Sequence, residues 1–562
     1  MKLFALIFLG CFLGVSGEAT YPRLASYHQG TIDYAEFTEA DDAAVNDWIV
    51  LHWQPGLNPA QVRTWVQRLQ ATHATLKPGR PPMVVFLYTI SDECPPGATG
   101  NTFKPLKDVL DVQNLWAHNT FPGAADLSDV AEIWPGYIAT NEAANIAITG
   151  GTLTLGSWWR KWIIDSWGLS TIPEIKGIMC DNWNAKPLVG YDWNRDGNPN
   201  SPDAAFRLAV QQQRQSAGTY IKGRGYLLCS NSSYQNAVGD YWSNGTDTRA
   251  AVTAFGLDYN IIETPIGESW GCEGVLFYST SMSYSGFRTW PGNQPFSAAP
   301  ALGTPVQNTW GQYHNTATPP NAGSTGIYDM CKGVAAIASM ADLSHIVLQA
   351  KVPAPSRIGS WTGVAKALRY SALFTQVMTP FSTDLKPQDN GSPRKTIRLD
   401  ELEFEWGLAI DPPQTIADEV ADGVNKREFQ NALVYVYHRR GHGASETFPT
   451  RTVTLPSAGT GKKWQRVNAA AFFNQDPATN TGLDQGATYQ FAGPRDGIVF
   501  RRVNTSGTST EQQIPEAINV NNRVHQVSRI YDISGRRVLE PRQSGIYLYV
   551  TGNKIKKRVY LR

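Results

Sequence analysis

Neither sign of charge dominates this chain. Its 562 residues carry 49 Lys and Arg against 48 Asp and Glu, a net charge of +1. Proteins that track nucleic acid or an anionic membrane surface need a basic footprint, and this balance supplies none. Cysteine is scarce, with 6 residues and no CxxC pair, so metal-type cysteine spacing is absent. Cys180 and Cys229 sit in apolar runs and read as buried thiols, and Cys94 with Cys272 is one pairing the sequence permits. GxGxxG and GxxxxGK[ST] are both missing, which removes the main argument for a nucleotide-binding sheet. HExxH and GxSxG are missing too, which leaves a protease reading little support. Beyond the N-terminus no run approaches the roughly 18 apolar residues of a spanning helix.

What is present begins with a leader. Lys2, the apolar run Leu3 to Val15 and the small residues Val15-Ser16-Gly17 before Glu18 read as a signal peptide over residues 1–17. Strand candidates then alternate with helix candidates. The strands are Asp47 to Trp53, Pro82 to Tyr88, Ile133 to Ile138, Lys176 to Asp181, Tyr226 to Ser230, Leu257 to Glu263 and His345 to Ala350. Asn58-Pro59 opens a helix whose stripe is Val62, Trp65, Val66 and Leu69. Further helices are expected over Trp158 to Trp167, Asp203 to Gln215, Gly326 to Met340, Val364 to Met378 and Leu402 to Ile410. Alternation over about 400 residues means a parallel sheet with crossover helices, and that length favours a closed (β/α)8 TIM barrel over an open sheet. The expected fold is therefore α/β, with a barrel over 18–425. From Lys426 short runs divided by Gly, Pro and Asn read as a small antiparallel β-sandwich over 426–503. A Ser/Thr-rich linker over 504–523 and a very small β-unit over 524–562 follow.

Two of the expected strands end in an acid: Gly177-Ile178-Met179-Cys180 in Asp181, and Ile261-Ile262 in Glu263. Two carboxylates at strand ends of one barrel suit glycoside hydrolysis, which needs one ionised and one protonated carboxyl. Asp92, Glu93 and Glu268 are reserve acids, each just beyond an expected strand. Asn231 belongs to a polar rim after the next strand, and Trp183, Tyr234 and Trp270 are candidate sugar platforms beside ordinary core packing. The loop from Asp192 to Asp203 has the calcium-loop pattern. Asp192, Asn194, Asp196 and Asp203 offer side-chain oxygens, Asn198 its carbonyl, and Gly197 the sharp turn. A structural Ca2+ bracing the stretch beside Asp181 is the economical role.

These residues give the chain a resemblance. Gly177 to Asp181, Asn231-Ser232-Ser233, Ile261-Ile262-Glu263, Asp400-Glu401 through Gly407 and Arg427 to Val434 together resemble the TIM-barrel group known as hypothetical glycosyl hydrolases, distantly similar to endo-α-1,4-polygalactosaminidases. Ala432 stands where that group usually has Gly. The resemblance spans roughly Arg23 to Val503 and implies a glycosidase acting on a carbohydrate substrate. It implies Asp181 as nucleophile or charge stabiliser and Glu263 as general acid/base, an order open to reversal. The tail, Ile530 to Val538, Ser544 to Val550 and Lys556 to Arg562, resembles the C-terminal sorting domain of the type IX secretion system of Bacteroidetes. That implies the type IX machinery as a partner and a secreted or outer-surface location. Two function classes stay open: a secreted glycoside hydrolase, and a non-catalytic glycan-binding or adhesion protein on a similar barrel. The oxygen spacing of the loop carries its own test. Calcium should raise the melting temperature of the wild type and not of Asp192→Ala, and identical melts with calcium and with chelator in both would reduce the loop to a turn.

Overall fold

The computed structural model describes residues 20–27, 43–51, 58–98, 103–117, 130–134, 136–183, 204–231, 255–267, 345–352, 361–378, 382–387, 399–414, 418–421, 423–437, 450–468, 481–493, 496–505, 529–532, 537–538, 545–551 and 554–560. The leader, the loop from Asp192 to Asp203, Tyr234, Glu268, Trp270, Cys272 and the helix expected over Gly326 to Met340 lie outside the described residues.

The first eight strands are Ala25–Tyr27 (β1), Trp48–Leu51 (β2), Val84–Thr89 (β3), Gly177–Cys180 (β4), Leu227–Asn231 (β5), Tyr259–Gly267 (β6), His345–Val352 (β7) and Ser382–Pro387 (β8). They form one parallel sheet in chain order. The sheet curls until its edges touch: Leu24 and Thr383 form a parallel bridge, and the Thr383 N–H donates to the Arg23 carbonyl at 3.0 Å. The runs WIVL, VVFLYT and GIMC are almost wholly apolar because both faces of a parallel sheet are covered. Period-two alternation divides them. Ala25, Tyr27, Trp48, Val50, Phe86, Tyr88, Ile90, Met179, Cys229, Tyr259 and Ile261 pack together on the inner face. Ile49, Leu51, Val85, Leu87, Ile178 and Leu228 belong to the outer core beneath the helices.

Helix α1 (Pro59–Leu76) starts where Asn58 accepts from the Gln61 N–H at 2.9 Å and the Gln61 side chain accepts from the Asn58 N–H, a complete capping box. It buries the expected stripe of Val62, Trp65, Val66 and Leu69. Between β3 and β4 lies an insertion. It contains α2 (Lys104–Gln113), a three-stranded antiparallel sheet of Glu93–Cys94, Glu132–Trp134 and Tyr137–Ala139, and a hairpin of Asn145–Ile148 with Gly151–Thr154. Next comes α3 (Leu155–Lys161), which runs on as a π-helical turn over Trp162–Trp167. Helices α4 (Ala204–Gly223) and α5 (Trp361–Met378) follow.

Several expectations change here. Ile133 to Ile138 is no strand of the main sheet, since Tyr137–Ala139 pairs antiparallel with Glu93–Cys94 on one side and Glu132–Trp134 on the other. β1 and β8 supply members the sequence reading lacked, so Asp181 still follows the fourth strand and Glu263 still lies on the sixth. Leu402 to Ile410 is not a helix. After a single 3-10 turn at Asp400–Leu402, the Trp406 N–H goes to the Tyr21 carbonyl at 2.9 Å, and Gly407 at φ 79° accepts from the Tyr21 N–H at 3.0 Å. Hydrogen bonds given to a distant segment are unavailable to a helix ladder. Cys94 is a buried free thiol among the described residues, and Cys272 lies outside them.

Beyond the main sheet come strands Val424–Glu428 (β9), Ala432–Tyr437 (β10), Arg451–Thr454 (β11), Lys462–Arg466 (β12), Thr488–Phe491 (β13) and Asp496–Asn504 (β14). β9-β10-β14-β12 form an antiparallel sheet and β11-β13 a second pair. Helix α5 joins this unit to the first sheet, with Leu373, Phe374 and Val377 in one core with Val434, Val436 and Val499. A Cβ on Gly497 would sit 2.8 Å from Leu373 Cδ1 and 3.3 Å from the Tyr435 carbonyl, so a larger residue there would push the Leu373 side chain aside. Arg369 of α5 bonds Asp496 at 2.8 Å, with Glu401 at 3.8 Å, all three nearly fully buried. Arg427 donates to the carbonyls of Gln376 at 2.6 Å and Asp411 at 3.0 Å and lies over the rings of Tyr21 and Phe429. The last strands, Arg529–Asp532 (β15), Arg537–Val538 (β16), Gly545–Thr551 (β17) and Lys554–Tyr560 (β18), form an antiparallel sheet in the order β16-β15-β17-β18.

Candidate active site

The C-terminal rim of the parallel sheet gathers the polar residues. Register sets their levels. Ser230 pairs with Cys180, which puts Asn231 level with Asp181, and Asn231 pairs with Ile261. The inward series Met179, Cys229 and Ile261 shares its parity with Asp181 and Asn231. A parallel sheet therefore turns these side chains to the mouth of the sheet, where such sheets carry their sites.

Asp181 is 6% exposed, and among the described residues its carboxylate accepts four hydrogen bonds. Oδ2 accepts from the hydroxyls of Tyr27 at 2.9 Å and Tyr88 at 2.7 Å. Oδ1 accepts from Asn231 Nδ2 at 2.9 Å and from the Asn182 N–H at 3.0 Å. Asn182 reaches it through a left-handed turn at φ 53°, which Asn tolerates better than most residues. Burial, then the Asp181 charge, push the Tyr88 hydroxyl well above the ordinary tyrosine range, so it keeps its proton and stays a donor. A carboxylate has about four acceptor positions, and protein donors take them all. Asp181 can thus hold negative charge at the rim without water.

A second acidic group stands behind it. Glu142 is buried against Arg214 of α4, with Oε1 2.7 Å from Nε and 2.5 Å from Nη2, while the Ser91 hydroxyl donates to Oε2 at 2.7 Å. Asp92 follows Ser91 and is 4% exposed. Burial, then the neighbouring Glu142 charge, push its carboxyl well above the usual carboxylate range. The rim thus sets a carboxyl clamped by donors just after β4 beside one held neutral after β3.

The expected site residues fare unequally. Asn231 is buried and gives its amide to Asp181, so it orients the carboxylate instead of facing a sugar. Trp183 is 1% exposed, 5.7 Å from the Phe255 ring and beneath the Arg160 guanidinium at 5.6 Å. Its ring packs in the core, between Phe255 and Arg160. Glu263 does not end its strand: β6 continues to Gly267 through a break in register between Ile262 and Ile266. Its backbone lies two residues beyond Ile261, and its side chain lies outside the described residues, as do Tyr234, Trp270, Glu268 and the whole calcium-type loop. Glu93 is buried in the small sheet of the insertion. Tyr27 and Tyr88 were missing from the sequence reading, and the inward parity of β1 and β3 is the signal that finds them. Nothing in the sequence pairs Glu142 with Arg214.

No family model matches the chain, and no curated protein matches it. Its structural neighbours are glycoside hydrolases. An α-amylase from Geobacillus thermoleovorans complexed with acarbose aligns at 10% identity over 86% of this chain and 99% of that chain, with a TM-score of 0.38. The trehalose-6-phosphate hydrolase of Bacillus licheniformis aligns at 9% over 86% and 99%, with a TM-score of 0.40. A GH27 β-L-arabinopyranosidase from Geobacillus stearothermophilus in complex with arabinose aligns at 10% over 86% and 97%, with a TM-score of 0.34. At such scores the likeness leaves the chemistry to be argued from this chain's own residues.

The Tyr88 hydrogen bond has a measurable weight. A bond to a charged acceptor is worth about 1.5–3 kcal/mol. Tyr88→Phe should lower unfolding stability by that much in denaturant melts, and a change near zero would mean the hydroxyl does not brace Asp181.

Proposed function

We propose that this protein is a glycoside hydrolase working at the rim that holds Asp181. The supporting observation is the clamped carboxylate: a buried negative charge, fixed by four donors, at the C-terminal end of a parallel sheet. Such a charge stabilises the oxocarbenium-like transition state of glycosidic cleavage. In this reading the sheet is a (β/α)8 barrel, the antiparallel unit is a trailing β-domain, and Glu263 is the general acid/base. The activity would be of the kind the endo-α-1,4-polygalactosaminidase resemblance implies. Ca2+ in the Asp192 to Asp203 loop would brace the segment after Asp181.

The alternative, a non-catalytic glycan-binding or adhesion protein, draws on one observation. All four acceptor positions of Asp181 are taken, as in a carboxylate kept for structure. Turnover separates the two readings. Positioned acid–base catalysis is worth about 10² to 10⁴ in rate, so Asp181→Asn and Glu263→Gln should each lose at least that much on a glycan found by library screening. Glycans bound by the wild type without hydrolysis would favour the binder. For location, we propose export to the surface or medium through the type IX machinery. A chain cut before residue 524 should stay in the periplasm, and its appearance outside would refute the role of the tail.

A further inference from the structure

We propose that Asp92 is the proton-bearing group of this rim, a neutral carboxylic acid that donates a hydrogen bond to a hydroxyl of the sugar held against Asp181. The inference rests on the glycan reading above and adds a residue that contacts the ligand.

Position comes first. Asp92 lies in the bend just after β3, two residues beyond Ile90 of the inner cluster. The neighbouring Ser91 hydroxyl donates to Glu142 Oε2 at 2.7 Å. The Asp92 backbone is pinned, since its carbonyl accepts from the Thr140 N–H at 2.9 Å and the Thr140 hydroxyl bonds the Ser91 carbonyl at 2.5 Å. The carboxyl itself is different. Its Oδ1 is buried and has no hydrogen-bond partner among the described residues. An ionised carboxylate left so would be costly, and a buried group in this position neutralises instead.

The charges around it agree. Asp181 and Glu142 face Asp92 as like charges, and Arg214 and Arg160 face it as opposite ones. Arg214 is already committed to Glu142 at 2.5 Å, while Arg160 gives Nη1 to the Gly156 carbonyl at 3.3 Å and keeps Nε and Nη2 buried without a partner among the described residues. Burial and the two carboxylates outweigh the two guanidinium groups, and the shift is strongly upward. A neutral carboxyl offers one O–H donor and keeps acceptor capacity, which complements a sugar hydroxyl. Asp181, with every acceptor position filled, contributes charge; Asp92 contributes the donor.

Three substitutions in the full chain test this. Infrared spectra at neutral pH should show the carbonyl band of a protonated carboxylic acid in the wild type and not in Asp92→Asn. Its absence from the wild type would overturn the proposal whatever the ligand proves to be. Linkage gives a matching sign. A carboxyl whose folded pKa is raised binds more protons folded than unfolded, so its stabilisation fades as pH rises from the unfolded value through the folded one. Asp92→Asn should remove that decline.

On an array of immobilised neutral oligosaccharides, Asp92→Asn keeps a donor and should bind within about threefold of wild type, while Asp92→Ala should lose about tenfold, the scale of one net hydrogen bond. Wild-type binding should weaken as pH rises and Asp92 ionises. Glu142→Gln removes a like charge and should move that decline to lower pH. Equal binding by all three proteins overturns the ligand contact. Binding retained but turnover abolished in Asp92→Asn overturns simple donation in favour of proton transfer. A wild type that binds no sugar overturns the glycan reading, while the infrared result still judges the proton on Asp92.

Discussion

A carboxylate removed from water survives only where donors replace its hydration, and the rim of this sheet is arranged around that demand at Asp181. Its donors come from β1, β3, β5 and the turn after β4. Three strands must therefore end at the same height and curve toward one another. Parallel pairing in chain order supplies the common height, and the curl that joins Leu24 to Thr383 supplies the approach. Tyr27 is tied in twice, since its backbone N–H also donates to Asp384 of β8 at 3.1 Å. Each bond to the charge is worth about 1.5–3 kcal/mol, against a burial penalty of several kcal/mol for an ion. The four together are of the size needed.

The insertion between β3 and β4 is the second half of the same device. It brings Glu142 and Thr140 under the loop of Ser91 and Asp92, and α4 brings Arg214 to meet Glu142. A buried ion pair of this kind adds little net stability by itself. Its value here is positional: it fixes a negative charge beside Asp92 without leaving that charge unpaired. Burial, with that charge, holds the Asp92 carboxyl well above the usual carboxylate range.

Much of this was legible in the sequence, and the pattern of success has a physical reason. Long apolar runs such as VVFLYT and the stripe of α1 announce themselves because burial demands them. Asp181 was legible because a charge abruptly ends such a run. β1 escaped because three residues, ASY, carry too little periodicity. β8 escaped because Ser382, Thr383 and Asp384 are polar, which an edge joined by Gln376 and the Tyr27 N–H accommodates. Ile133 to Ile138 is apolar enough for the main sheet, and only pairing decides against it. Trp183 looked like a platform because it follows Asp181 so closely, yet side-chain contacts across sequence distance, Arg160 and Phe255, determine its fate. Pairings such as Glu142 with Arg214 join residues 72 apart and have no local signal at all.

The saturation of Asp181 also bears on how it can act. To attack an anomeric carbon, a carboxylate oxygen must present a lone pair, and here each is engaged. Oδ2 would have to release Tyr27 or Tyr88, and Oδ1 would have to release Asn231 or the Asn182 N–H. The two tyrosines share one oxygen, so releasing one leaves the other in place and exposes a single lone pair at the loss of one bond. Stabilising positive charge needs no such release, because it acts through space and keeps every donor. Of the two roles the resemblance allows Asp181, charge stabilisation is the one its surroundings favour directly. Nucleophilic attack from either oxygen would need one of its two donors to move aside as the sugar arrives.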